Sequence, residues 1–170
     1  MTKRYVALLR AVNVGGNGTL EMAALRRLAE GCGFTEVGTY IASGNLLFGS
    51  DQDEAKVKAA LAGALERHVG KPVGVLIRTA ADLAAVLEAN PFQDRAASRT
   101  AAIFLDVPPP QDLMAGVSGQ ADEEIAPGAR EIYVHYPQGM GRSKLKIAAA
   151  RAGTARNLNT VAKLAELARR

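Results

Sequence analysis

From Tyr5 to Val12 the chain is apolar on both alternating faces, broken only by Arg10, which predicts a strand buried in the middle of a sheet. The glycine- and asparagine-rich tract "NVGGNG" at residues 13–18 then predicts a loop, because those residues take positive φ cheaply. Met22, Leu25, Leu28 and Ala29 recur at helical spacing, and the run closes in "GCGF", where Gly31 or Gly33 can supply the left-handed cap. "EVGTYIASGNLLFGS" reads as two short strands turning at Ser43, Gly44 and Asn45. Asp51 with Glu54 has the spacing of a capping box ahead of a helix whose inner face is Val57, Leu61, Ala64 and Leu65, ending at Gly70. "KPVGVLIRT" is a further strand. The resulting order, strand-helix-strand-strand-helix-strand, is the ferredoxin-like split βαβ arrangement.

The second half alternates less cleanly. Thr79 is placed to cap a helix with Asp82 in its first turn and Leu83, Val86 and Leu87 facing inward, stopped by Asn90 and Pro91. "RTAAIFLDV" predicts a strand and "PPPQDLMAGVSG" a rigid turn. "EIYVHYP" alternates Ile132, Val134 and Tyr136 against Tyr133 and His135, the pattern of a half-buried strand. Two helices are expected to close the chain, over residues 143–152 and about 159–168. The fold class is therefore α+β, two linked ferredoxin-like α/β plaits. Residues 1–78 form the βαββαβ unit, and residues 79–170 form a degenerate second α/β unit with basic C-terminal helices.

The chain has 170 residues, 48% of them hydrophobic and 22% charged, as expected for one good core or two small subdomains sharing one. No apolar run approaches the roughly 20 residues of a membrane span, so no membrane partner is expected. "MTKRYVALLR" lacks a small-residue cleavage site and runs into a strand pattern, so it reads as mature protein. Cys32 is the sole cysteine, which excludes an internal disulfide and makes a reducing cytoplasm the default location. The net charge of +4 is unevenly placed: from Gly141 onward eight basic residues face only Glu166, giving +7 there and −3 before it. A basic end beside the acidic stretch "DEEIAPGARE" permits an anionic partner, and equally permits the two parts to pack on each other.

No HExxH, CxxC or GxSxG motif is present, and His68 and His135 are too few for an ordinary three-histidine metal site. No metal, cofactor or catalytic residue is assigned. His68 suits the C-terminal end of a helix, and His135 reads as structural or solvent-exposed. Asn13, Gly15 and Gly16 lie where backbone N-H groups between a strand and a helix can hold a phosphate, though the tract is neither a Walker loop nor GxGxxG. Ser43 and Asn45 would add a polar wall, or simply make a turn. In "GMGRSKL", Gly141 allows close backbone approach, Arg142 and Lys144 carry charge, and Ser143 can cap the helix expected there. "TARNLNT" adds Arg156, with Asn157 or Asn159 as the cap of the last helix. Together these point to an anionic small molecule or nucleic acid as ligand. A small transferase or hydrolase using Ser43, Ser143 or Lys144, and a protein-interaction module, are the other two readings; the pattern leaves the oligomeric state open.

Several of these stretches resemble one bacterial family, the domain of unknown function 1697. They are "YVALLRAVNVGGN", "LAEGCGFTEVGTYIASGNLLF", "ANPF", "EIYVHYPQGMGRSKL" and "TARNLNTVAKLAEL", in that order along nearly the whole chain. The resemblance implies two linked ferredoxin-like plaits and carries over no catalytic residue. The chain departs from the family at Ala11, where glycine is usual, and at Leu158, where tryptophan is usual. The second departure removes an aromatic platform on which a base would stack.

Overall fold

The apolar run near the start of the chain forms β1 (Lys3–Arg10), in which Tyr5 to Leu9 are all buried. It is a central strand, as its two-sided pattern predicts. A computed structural model of the protein describes residues 2–10, 20–41 and 44–170. Within these, the chain divides into two compact units, Met1–Leu83 with Leu164–Arg170, and Ala84–Lys163.

In the first unit β1 is followed by α1 (Met22–Gly31), β2 (Thr35–Thr39), β3 (Asn45–Ser50), α2 (Glu54–Val69) and β4 (Gly74–Thr79). The strands form an antiparallel sheet in the order β2-β3-β1-β4, with Tyr5 opposite Phe48 on one side and Thr79 on the other. Tyr5, Ala7, Leu9, Leu46, Phe48, Val75 and Ile77 build one core with Leu25 and Ala29 of α1 and Leu61 and Leu65 of α2. Both helices therefore lie on the same face. Phe34 and Phe48 stack at its centre, 4.1 Å apart and 11° from parallel. Val6 and Leu8, pointing the other way from β1, are also fully buried.

The helix ends show local chemistry setting the boundaries. Gly33, at φ 85°, takes the left-handed position after α1, and Gly70, at φ 87°, the one after α2. The cap of α2 is Asp53, whose carboxylate accepts from the Lys56 amide at 2.9 Å. The expected cap, Asp51, instead accepts from the Thr2 hydroxyl. At α3 (Ala80–Glu88) the expected device is present in reciprocal form. The Asp82 amide donates to Thr79 Oγ1 at 3.1 Å and the Thr79 amide to Asp82 Oδ2 at 2.9 Å.

The second unit holds β5 (Thr100–Phe104), β6 (Val117–Ser118), β7 (Glu124–Pro127), β8 (Glu131–His135), β9 (Lys146–Ile147) and β10 (Thr154–Asn157). An antiparallel sheet runs in the order β10-β5-β8-β7, while β6 and β9 pair separately. The final helix, α4 (Leu158–Ala168), is capped by Asn157, whose side-chain oxygen accepts from the Thr160 amide at 2.9 Å.

Two expectations are corrected here. Residues 143–152 do not form an α-helix: β9 is followed by a 3-10 turn, Ala148–Ala152. Tertiary packing overrides the helical propensity of this alanine-rich stretch, because Ile147 joins the core opposite Val117. Ser143 Oγ also draws the Leu145 amide at 3.1 Å, an alternative to helical bonding. The strand at "EIYVHYP" is not half-buried either, since every residue of β8 is buried. It runs between β5 and β7 with both faces covered, and the polar members are satisfied. The Tyr133 hydroxyl donates to the Val86 carbonyl at 2.7 Å, and its burial holds the phenol at about 12. The Thr100 hydroxyl gives its one proton to the Ala96 carbonyl, so the contact at 3.1 Å requires His135 Nδ1 to donate to Thr100 Oγ1. His135 is thereby a structural histidine.

Candidate functional site

The segment "GMGRSKL" makes a turn rather than a helix start. A 3-10 turn, Met140–Arg142, follows Gly139 at φ 85°. The Arg142 N-H is spent on the Gly139 carbonyl and the Ser143 N-H on that of Met140. No helix N-terminus opens here toward a ligand, which corrects the expected role of Ser143 as a helix cap.

A second segment comes up against this turn. Gly119, at φ 70°, passes so close to the 144 backbone that an added Cβ would lie 2.2 Å from the Lys144 carbonyl oxygen. After it, Glu123 is drawn back by its own loop: the Ala121 amide donates to Oε1 at 2.6 Å and Gln120 Nε2 to the Glu123 carbonyl at 2.7 Å. The other carboxylate oxygen, Oε2, accepts from the Ser143 hydroxyl. The Ser143 hydroxyl foremost, then the Ala121 amide and Glu123's own amide, hold the Glu123 carboxyl below its ordinary value. The acidic stretch and the basic stretch thus meet, as their opposite charge permits.

Between the two segments is a cavity of about 470 Å³. On the turn side its lining includes Gln138, Gly139, Arg142 and Lys144. Asp122, Glu123 and Tyr136 are among the residues closing it. Arg142 and Lys144 are exposed, and their side chains form no ion pair or hydrogen bond among the described residues. Gln138 Nε2 reaches Asp122 at 3.4 Å, a weak contact. Tyr136 is 92% buried. Its hydroxyl makes no hydrogen bond among the described residues, and burial with the Glu123 charge raises its ionisation point.

Of the residues the sequence singled out, Arg142, Ser143 and Lys144 line this cavity and Gly141 lies in the turn that shapes it. Arg156, Asn157 and Asn159 do not line it. Arg156 is buried on β10, where Nη1 donates to Thr154 Oγ1 at 2.7 Å and to the Ala155 carbonyl at 2.9 Å. Desolvation there lowers its guanidinium to about 10. Asn157 is spent as the cap of α4, and Asn159 is exposed on that helix. Asn45, fully buried in the first unit, donates from Nδ2 to the Tyr40 carbonyl at 3.0 Å across its turn. Asn13, Gly15, Gly16 and Ser43 lie outside the described residues.

Sequence reasoning missed Glu123, Asp122 and Tyr136. The only available signal was the acidic run facing a basic one. No group of three or more acidic, histidine or cysteine residues suited to a metal is found among the described residues. Nor is any described helix long and apolar enough to cross a membrane.

The family model described as "Protein of unknown function (DUF1697)" matches residues 1–133, more than three-quarters of the chain, and the protein belongs to that family. The match ends before the turn that carries Arg142 and Lys144. Among solved structures, a conserved bacterial protein from Streptococcus pneumoniae is similar over 100% of both chains, with a TM-score of 0.79 and 23% identity, a likeness of fold. No curated protein matches the chain significantly.

Proposed function

We propose that this member of the family binds a small anionic ligand in the cavity between residues 119–123 and 138–144. The observation that carries the reading is the pair Arg142 and Lys144, two cations with no partner among the described residues on the wall of a cavity of about 470 Å³. Ser143 beside them is already engaged by Glu123 and the Leu145 amide, which leaves these two side chains to meet a ligand. A fork of guanidinium donors and a neighbouring ammonium suit a phosphate monoester or a carboxylate.

The site offers little to a hydrolase or transferase acting through Ser143. Its hydroxyl donates to Glu123 and accepts from the Leu145 amide, and Glu123, held below its ordinary value, is a weak base. The reading of the first unit as a ferredoxin-like plait is supported by its βαββαβ element order and its β2-β3-β1-β4 antiparallel sheet. For the second unit, only the four-stranded antiparallel sheet supports a degenerate counterpart.

The test is calorimetric titration of the full chain with inorganic phosphate and ethyl phosphate, for the parent and for Arg142→Glu and Lys144→Glu. Loss of one charge-assisted hydrogen bond weakens binding by about 1.5 to 3 kcal/mol, roughly 10- to 150-fold. A merely solvated cation contributes about 0 to 1 kcal/mol. Folded variants that bind within about threefold of the parent contradict the reading.

A further inference from the structure

We infer that the cavity selects a small zwitterion, a molecule carrying one anionic group and one ammonium group. This rests on the anion-binding reading above and narrows it. The charges around the cavity balance, with Arg142 and Lys144 against Asp122 and Glu123. A polyanion such as a nucleic-acid strand gains from the first pair and is repelled by the second. A ligand with a single anion and a separate cation meets both walls with the favourable sign.

The acceptors on the acidic side have capacity to spare. The Glu123 carboxylate accepts from Ser143, from the Ala121 amide and from its own amide, three bonds for about four acceptor sites, which leaves room for one more. Asp122 is exposed and held only by the long contact to Gln138. Tyr136 adds an open oxygen to this side of the cavity. It is 92% buried at the cavity, close enough to Glu123 to feel its charge, and its hydroxyl is without a hydrogen bond among the described residues. The phenol oxygen is not sealed off, so a donor that enters the cavity can reach it. Burial keeps that phenol protonated, so its oxygen presents lone pairs. An ammonium, with three donors and no acceptor, is the group that Tyr136 Oη, Asp122 and Glu123 can receive together.

The experiment compares phosphoethanolamine with ethyl phosphate, which share the phosphate monoester and differ in the ammonium, by calorimetric titration of the full chain. The parent should bind phosphoethanolamine about fivefold more tightly, the size of effect one partly exposed ion pair allows. Asp122→Asn should remove most of that preference while leaving ethyl phosphate binding within about twofold, and Tyr136→Phe, which keeps the ring, should reduce it. Equal affinity for the two probes in the parent, or a preference that survives Asp122→Asn unchanged, overturns the zwitterion assignment. If ethyl phosphate still binds and Arg142→Glu abolishes it, the anion site stands and the zwitterion alone falls; if neither probe binds, both fall.

Discussion

Gly119→Ala probes how the cavity is held together, because two separable costs meet at that residue. The first is conformational: at φ 70° an alanine sits in the left-handed region, at about 1 to 2 kcal/mol. The second is steric. The new Cβ would stand 2.2 Å from the Lys144 carbonyl oxygen and 3.0 Å from its carbon. Both atoms are backbone, so no side-chain rotation relieves the clash. The 119 and 144 segments must part, which strains the adjacent pairing of Val117 with Ile147 and Ser118 with Lys146. Together the two costs come to about 2 to 5 kcal/mol, since overpacking a close contact adds about 1 to 3 kcal/mol in its own right. Gly139→Ala is the control. It has φ 85° and no atom within 4 Å of an added Cβ, so it incurs only the backbone cost. In thermal unfolding at matched conditions Gly119→Ala should melt roughly 4 to 20 °C below the parent, at about 2 to 4 °C for each kcal/mol in a chain of this size, with Gly139→Ala well above it. Equal melting of the two variants would refute the close approach of the two segments.

Removing the Tyr133 hydroxyl in Tyr133→Phe leaves the buried Val86 carbonyl without that donor and should cost about 1 to 2 kcal/mol in denaturant unfolding; in the parent this phenol should titrate spectroscopically near about 12. Because the Glu123 carboxyl is depressed in the folded protein, its stabilising contribution is present above the ordinary carboxylate value and is lost as pH falls through its lower folded value. Ser143→Ala removes the main cause and should flatten that acid-side loss, as followed by unfolding midpoints between about pH 2 and 6. Cys32, whose thiol is pushed up by burial against the partial opposition of Arg67, should alkylate more slowly than a free thiol at pH 7, read by intact mass. Thr79→Ala breaks the reciprocal cap of α3 and should cost about 1 kcal/mol by unfolding.

The first unit was largely legible because its signals are local. Two-sided apolarity marked β1, the 3-4 spacing of Leu25, Leu28 and Ala29 marked α1, and Gly33 and Gly70 closed the two helices. Even the Thr79 cap could be read from spacing alone. The second unit was less legible because its decisive contacts are long-range. Lys146 and Ile147 have no strand-length pattern, and only pairing with Val117 and Ser118 makes them a strand. Arg156 looked like a ligand residue from its neighbours in sequence, yet its place on β10 buries it and commits its guanidinium to Thr154 and Ala155. In the candidate site, Arg142 and Lys144 announced themselves by charge. Glu123 and Tyr136 did not, since a carboxylate bonded to Ser143 twenty residues away and a phenol buried just past the end of a strand leave no local mark.

The central claim is tested most directly by titrating inorganic phosphate into isotope-labelled protein and following the backbone amide resonances. The account predicts saturable shifts concentrated at residues 119–123 and 136–144, with the Arg142→Glu protein showing none at the same concentrations. Shifts that fail to saturate, that fall outside those two segments, or that persist undiminished in Arg142→Glu would contradict it.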